Sequence, residues 1–248
     1  MAKRDLAAVT RQLEADLGLT TEFDRQRLET FVRSIGETNE FYSTDELRRW
    51  VDDLRRDVTM KVSPCPVSDL RRWSTTSTGE IVHETGGFFQ IVGVRVEGAD
   101  REVNGWDQPL VAQKQMGILG IVRTLHRGTY YYLLQGKAEP GNYGLIQVSP
   151  TLQATYANIN QVHQGKRPKF IEFFEDGAPY RVVYKQWLAE DGGRFLAKTN
   201  LNMLVEADSL MDTAVPQDFR WFTLRQVKEM LLDDNYIGPH VRSILAHL

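Results

Sequence analysis

Residues 130–158 read YYYLLQGKAEPGNYGLIQVSPTLQATYAN, and the fold turns on how this stretch is arranged. Its first part is a strand pattern, aromatic and aliphatic, bounded by His126-Arg127-Gly128 on one side and Pro140-Gly141-Asn142 on the other. Because strand side chains alternate, Gln135, Lys137 and Glu139 point to one face, and Tyr132, Leu134 and Gly136 to the other. A second polar row follows in Gln147, Ser149, Thr151, Gln153 and Thr155, spaced by two if the extended chain continues past Pro150. Two such strands side by side line a concave surface with amides, hydroxyls, an ammonium and a carboxylate, which suits a polyhydroxylated ligand better than an apolar one. The same row is equally the solvated outer face of a half-exposed antiparallel sheet. Amides and hydroxyls outnumber charges, which tilts the balance towards a site.

Outward from this stretch, GILGIVRTL (117–125) and TYYYLLQGK (129–137) flank the short turn as a hairpin. Further strands fit FFQIVGVRV (88–96), LIQVS, FIEFF, YRVVYKQW and FLAKTNLNMLVE, some seven in all. Before them, residues 4–58 are helical in period, with Leu6, Val9, Leu13 and Leu17, then Leu28, Phe31, Val32 and Ile35, at three- and four-residue steps. Ser43 with Glu46 has capping-box spacing, ahead of an apolar stripe of Leu47, Trp50, Val51 and Leu54. Pro64 and Pro66 end the helical part. After Pro216 helix returns, with a second capping-box spacing in Thr223 and Gln226 and a last short helix from about His240. The expected class is α+β, a mixed or antiparallel sheet flanked by helices, with a helical segment over residues 1–62 and one module over 63–248.

The chain has 248 residues, 42% hydrophobic and 25% charged, with a net charge of -3. That is ordinary globular composition and gives no general basic field for nucleic acid or an anionic membrane. One cysteine, Cys65, excludes an internal disulfide and a CxxC metal site, and between two prolines it reads as a small packed residue. The N-terminal sequence has no apolar core of a signal peptide, and MGILGIV is too short to span a bilayer, so the expected location is the cytoplasm. Neither GxGxxG nor GxxxxGK[ST] is present, nor HExxH or GxSxG, and the five histidines lack metal-ligand spacing. No metal is expected.

Several blocks in order resemble the NDP-hexose 2,3-dehydratase family of deoxysugar biosynthesis. They are GEIVHETGGFFQIVGV (79–94), WDQPL (106–110), GILGI (117–121), LLQGKAEPGN (133–142), QVSPTLQATYANINQVHQG (147–165), AEDGGRFLAKTNLNMLVE (189–206) and FRWFTLRQVKEMLL (219–232), with NYIGPHVRSILAHL a looser match. The family carries two modules in tandem, each resembling the Nudix fold without its metal-binding box. One module here implies a homodimer in place of the fused pair. Where the family has an arginine between two asparagines, this chain has Leu201, which removes a natural phosphate or hydroxyl ligand.

The resemblance implies a lyase acting on a nucleotide-linked 4-keto-6-deoxyhexose without a cofactor. A base takes the C3 proton, the C2 hydroxyl departs, and donors support the enolate oxygen. Glu139 is the expected base or acid, Lys137 the enolate donor or proton carrier and His83 the next candidate acid, although a histidine there is more often a turn-stabilising hydrogen bond. Glu190 and His163 are weaker choices. Trp106, Gln108, Gln135, Gln147, Gln153, Thr155 and Asn158 are expected to contact sugar and base, and Arg194 and Lys198 the diphosphate. Two other functions remain open: the same chemistry on another β-hydroxy carbonyl substrate, and a silent binding or partner module.

Overall fold

In the computed structural model, residues 6–98, 100, 102–159, 166–208 and 214–248 are described. Three helices lead as the apolar spacing predicts: α1 (Leu6–Leu17), α2 (Glu22–Gly36) and α3 (Thr44–Asp57). Ser43 caps α3 as expected, its hydroxyl accepting from the Glu46 amide at 3.2 Å while the Glu46 carboxylate accepts from the Ser43 amide at 2.7 Å. Leu47, Trp50 and Val51 of α3 are buried in the main core. Among the described residues no helix is long and apolar enough to cross a membrane.

Strands β1 (Trp73–Thr75), β2 (Ile81–His83), β3 (Gln90–Glu97) and β4 (Gly105–Ala112) form an antiparallel sheet in chain order. The next elements are β5 (Gly117–His126), β6 (Thr129–Ala138), β7 (Ile146–Ser149), β8 (Leu152–Thr155), the short helix α4 (Tyr156–Ile159), β9 (Arg181–Ala189), β10 (Thr199–Glu206) and β11 (Phe219–Thr223). Two helices close the described chain, α5 (Leu224–Met230), capped by Thr223 and Gln226, and α6 (Pro239–Leu245). The second sheet runs β11-β6-β5-β10-β9, with β10 parallel to β5 and the other pairs antiparallel. The protein is therefore α+β with a mixed sheet. The predicted hairpin is β5–β6, turned by Arg127 and Gly128, both at positive φ as a two-residue hairpin turn requires.

Apolar side chains cover both faces of this sheet. Ile121, Tyr132, Leu134 and Leu204 pack against α3, α5 and α6, while Val122, Tyr131, Leu133, Leu201 and Met203 pack on the other side against Ile171, Phe173 and Phe174. Those last residues belong to FIEFF, predicted as a strand. The segment is instead a single 3-10 turn, Ile171–Phe173, entered through Phe170 at φ 63°, and its apolar residues plug the sheet rather than join it. Phe174 sits so close over β5 that a Cβ on Gly120 would lie 2.2 Å from its ring. Strands β1, β2, β4 and β11 were not anticipated, while β8 is the extended chain expected past Pro150. Cys65 is exposed, not packed.

The polar row of residues 147–155 is not one strand. The last β5–β6 pair is Val122 with Leu133; beyond it Gly120 pairs with Leu152 of β8, and Gln135 with Ser149 of β7. The sheet forks there, and the chain crosses the fork at Pro150-Thr151. The buried Thr151 hydroxyl donates to the Leu133 carbonyl and accepts from the Val122 amide at 2.9 Å. It replaces the ladder bonds that the fork interrupts.

Two predictions follow from this architecture. Thr151→Val keeps the shape but orphans a buried donor and a buried acceptor, and is expected to cost roughly 2–4 kcal/mol of stability, read from urea unfolding, with Thr151→Ser losing much less. Glu37, just past α2, is buried with its Oε2 left without a hydrogen-bond partner, and this burial, opposed by the nearby backbone of Tyr130, Arg225 and Leu224, pushes its carboxyl up to about 7. The folded chain then holds a proton that the unfolded chain releases near 4.5, so stability falls as pH rises between these values and levels off above. Glu37→Gln is expected to flatten that slope and add roughly 2–3 kcal/mol above pH 7, measured by unfolding at several pH values.

Candidate active site

The arms of the fork enclose a cavity of about 300 Å³. Lys137 of β6 lines one side, on the sheet face that carries Leu133, while Leu119 of β5 and Asn200 of β10 line the other from the opposite face. Opposite faces of one sheet thus look at each other across the gap. Gln153 and Thr155 of β8 and Asn158 of α4 extend the wall.

Two polar sets face each other. On one side the Lys137 ammonium lies 2.9 Å from Glu139 and donates to the Gln153 carbonyl at 3.2 Å, and the Gln153 amide donates to Glu139 at 3.4 Å. On the other, Glu190 accepts from the Asn200 amide at 2.5 Å, and the Asn200 carbonyl oxygen accepts from the Gly117 backbone at 2.9 Å. Lys198 lies beside them and donates to the Gln115 carbonyl; burial pushes its ammonium down, against the pull of Glu190.

His240, the second residue of α6, completes the wall. Burial pushes its imidazole below the ordinary value; Glu190 and then Glu139 oppose that shift, and Lys137 reinforces it. It also lines an adjoining cavity of about 370 Å³, which shares Leu119 and Glu190 with the first and adds Arg194, Asn202 and Ser243. Among the described residues no group of three or more His, Cys, Asp or Glu is arranged to hold a metal ion.

Six of the residues singled out from sequence meet here: Lys137, Glu139, Gln153, Thr155, Asn158 and Lys198, with the weaker choice Glu190. Arg194 lines only the adjoining cavity. The others lie elsewhere. His83 is buried in the four-stranded sheet with its Nδ1 2.8 Å from the Thr85 hydroxyl, a turn contact. Trp106 bonds Gln108, and Gln108 bonds the Gly193 carbonyl; Trp106 sits near the start and Gln108 in the middle of β4, on the order of 17–23 Å along the strand from Gln113 of the cavity wall. Gln135 is taken by Asp218 at 2.8 Å, and Gln147, opposite Lys137 across β6–β7, is outside the lining. His163 lies outside the described residues.

Leu201 is buried in the second core, so in this chain that position faces away from the cavity. Sequence reading missed His240 as well as Asn200, Gln113 and Phe195 of the wall. The Gly238-Pro239 helix start was a visible signal for α6, but only the tertiary fold brings it over the fork.

The profile of the NDP-hexose 2,3-dehydratase family matches residues 44–248. The chain belongs to this family. The NDP-hexose 2,3-dehydratase match begins at the first residue of α3. A protein of Amycolatopsis orientalis named dTDP-4-dehydro-6-deoxy-alpha-D-glucopyranose 2,3-dehydratase is 38% identical over 214 residues, 83% of this chain and 44% of its own length. Proteins of the same name from Saccharopolyspora spinosa and Streptomyces violaceoruber are 32% and 36% identical, covering 94% and 76% of this chain and 48% and 42% of their own. The chain spans less than half the length of these relatives. Among solved structures, the NUDIX domain of Shewanella oneidensis NrtR complexed with ADP ribose aligns with a TM-score of 0.33 at 14% identity, over 53% of this chain and 85% of that one.

In an NMR pH titration the His240 imidazole is expected to titrate below the ordinary imidazole value. Glu190→Gln removes the carboxylate that raises it and is expected to lower the midpoint further. A midpoint unchanged by that substitution shows that the two groups do not interact.

Proposed function

We propose that the cavity removes water across C2 and C3 of a nucleotide-linked 4-keto-6-deoxyhexose. The proposal rests on one observation: Lys137, Glu139, Gln153 and Thr155, all in blocks shared with the family, converge with Glu190, Lys198 and His240 on one cavity. A volume of about 300 Å³ suits the hexose, with the nucleotide reaching beyond it.

The C4 carbonyl acidifies the C3 hydrogen. His240, kept neutral by burial, takes that proton, and the electron pair runs to the C4 oxygen; Glu190 and Glu139 then stabilise the imidazolium. Lys137 and Lys198 are the cations that offset charge on the enolate oxygen. As the enolate collapses, the C2–O bond breaks and the hydroxyl leaves as water with a proton from Lys137, which Glu139 holds in place. The enol left at C3 tautomerises to a 3,4-diketone. No electrons leave the substrate, so the reaction as written consumes no redox cofactor.

The relatives named above are more than twice as long as the part matched, and a homodimer acting in the cytoplasm on natural-product sugars completes the proposal. Sedimentation at micromolar concentration tests the dimer; a monomer rejects it.

Proton NMR of TDP-4-keto-6-deoxyglucose with the protein in D2O tests the reaction. Loss of the C2 carbinol signal with breakdown products of a diketone is the expected result. His240→Asn and Glu139→Gln are each expected to slow it by roughly 10²–10⁴-fold while shifting the melting temperature little. No change of substrate with the unaltered protein rejects the proposal.

A further inference from the structure

We infer that the end of the four-stranded sheet nearest the cavity, where Trp73, Phe88 and Phe89 gather, stacks the base of the nucleotide. This inference rests on the cavity being a nucleotide-sugar site. Gln90 pairs with Ala112, so the chain entering β3 passes beside the chain leaving β4, and the next residue of that chain, Gln113, lines the cavity. Ile81 pairs with Ile91, and Trp73 with His83. Carried one step outward from Gln90–Ala112 and two from Ile81–Ile91, this register sets Gln113, Phe89, His83 and Trp73 in a row across the sheet end, and residues opposed across antiparallel pairs share a face. Three strand spacings make the row about 14 Å long. That separation suits a ligand whose hexose and base are held apart by a diphosphate and a pentose.

The rings form one cluster. Trp73 and Phe89 lie 5.1 Å apart between centroids, Trp73 and Phe88 6.1 Å, and His83 and Phe88 4.5 Å. His83, held by Thr85, packs between them as a spacer rather than a proton carrier. Neither hydrophobic core of the described residues draws any member from β1, β2 or β3, so these aromatics do not serve a core. Phe88 and Phe89 keep 44% and 37% of their surface open to solvent. A half-open aromatic cluster whose Phe89 stands one strand spacing from Gln113 of a sugar-sized polar cavity offers the flat apolar surface on which a base stacks.

Calorimetric titration with thymidine diphosphate and with inorganic pyrophosphate tests this. The unaltered protein is expected to bind the nucleotide more tightly than pyrophosphate. Phe89→Ala should weaken the nucleotide roughly five- to a hundredfold and leave pyrophosphate unchanged. Phe89→Leu, which keeps apolar bulk without a ring face, should fall between, and it decides the matter if the alanine variant melts early. Independently, Trp73 fluorescence, taken as the difference between the unaltered protein and Trp73→Phe, should be quenched by thymidine diphosphate and not by pyrophosphate. Nucleotide affinity untouched by Phe89→Ala, with no Trp73 quenching, overturns the platform and leaves the cavity reading standing. Binding of neither ligand to the unaltered protein overturns that reading and the platform with it.

Discussion

One hydroxyl holds the sheet open. At the fork, Val122 and Leu133 lose their next ladder partners in a place that water does not reach, and an unpaired buried amide or carbonyl costs about as much as a hydrogen bond gained elsewhere. Thr151 answers both with one side chain, accepting from one strand and donating to the other. With the preceding proline, which has no amide to satisfy, this lets the chain cross from β7 on one arm to β8 on the other. The cavity is the gap that results.

The charge arrangement follows from the fork. Each arm brings one carboxylate and one lysine, Glu139 with Lys137 and Glu190 with Lys198, and each carboxylate is held by an amide as well, Gln153 or Asn200. An imidazole between two anions and a nearby ammonium is poised between competing fields, and burial decides the balance towards its neutral form. Such a group can take up a proton and then find its new charge already matched.

Local signals carried much of the fold. Both capping boxes, the leading helices, the β5–β6 hairpin and the alternation that turns Lys137 and Glu139 to one side were readable from spacing, because helix caps and strand periods are short-range physics. FIEFF misled because an apolar run looks alike whether it fills a strand or plugs a sheet. The polar row was read as one continuous wall, but only Gln153 and Thr155 line the cavity with Lys137, across a fork and not along a neighbouring strand; Gln147 lies outside the lining and Thr151 is spent on the fork itself. His240 was not legible because its place over the cavity depends on how α6 docks against β5, β7 and β10. His83, Trp106 and Gln108 stand in blocks shared with the family, yet each makes its hydrogen bond within the protein outside the cavity, His83 to Thr85, Trp106 to Gln108 and Gln108 to the Gly193 carbonyl.

Gly136, one residue before Lys137, has no side chain, and Leu54 and Trp50 of α3 occupy the space where one would stand. The helix therefore backs the strand that carries the ammonium with almost no slack between them. That arm works as an anvil: a ligand pressed against Lys137 meets a wall that does not recede, and any accommodation falls to the opposite arm. Stiffness on one side of a binding gap is thus set by the smallest residue in the strand, acting from the face that no ligand touches.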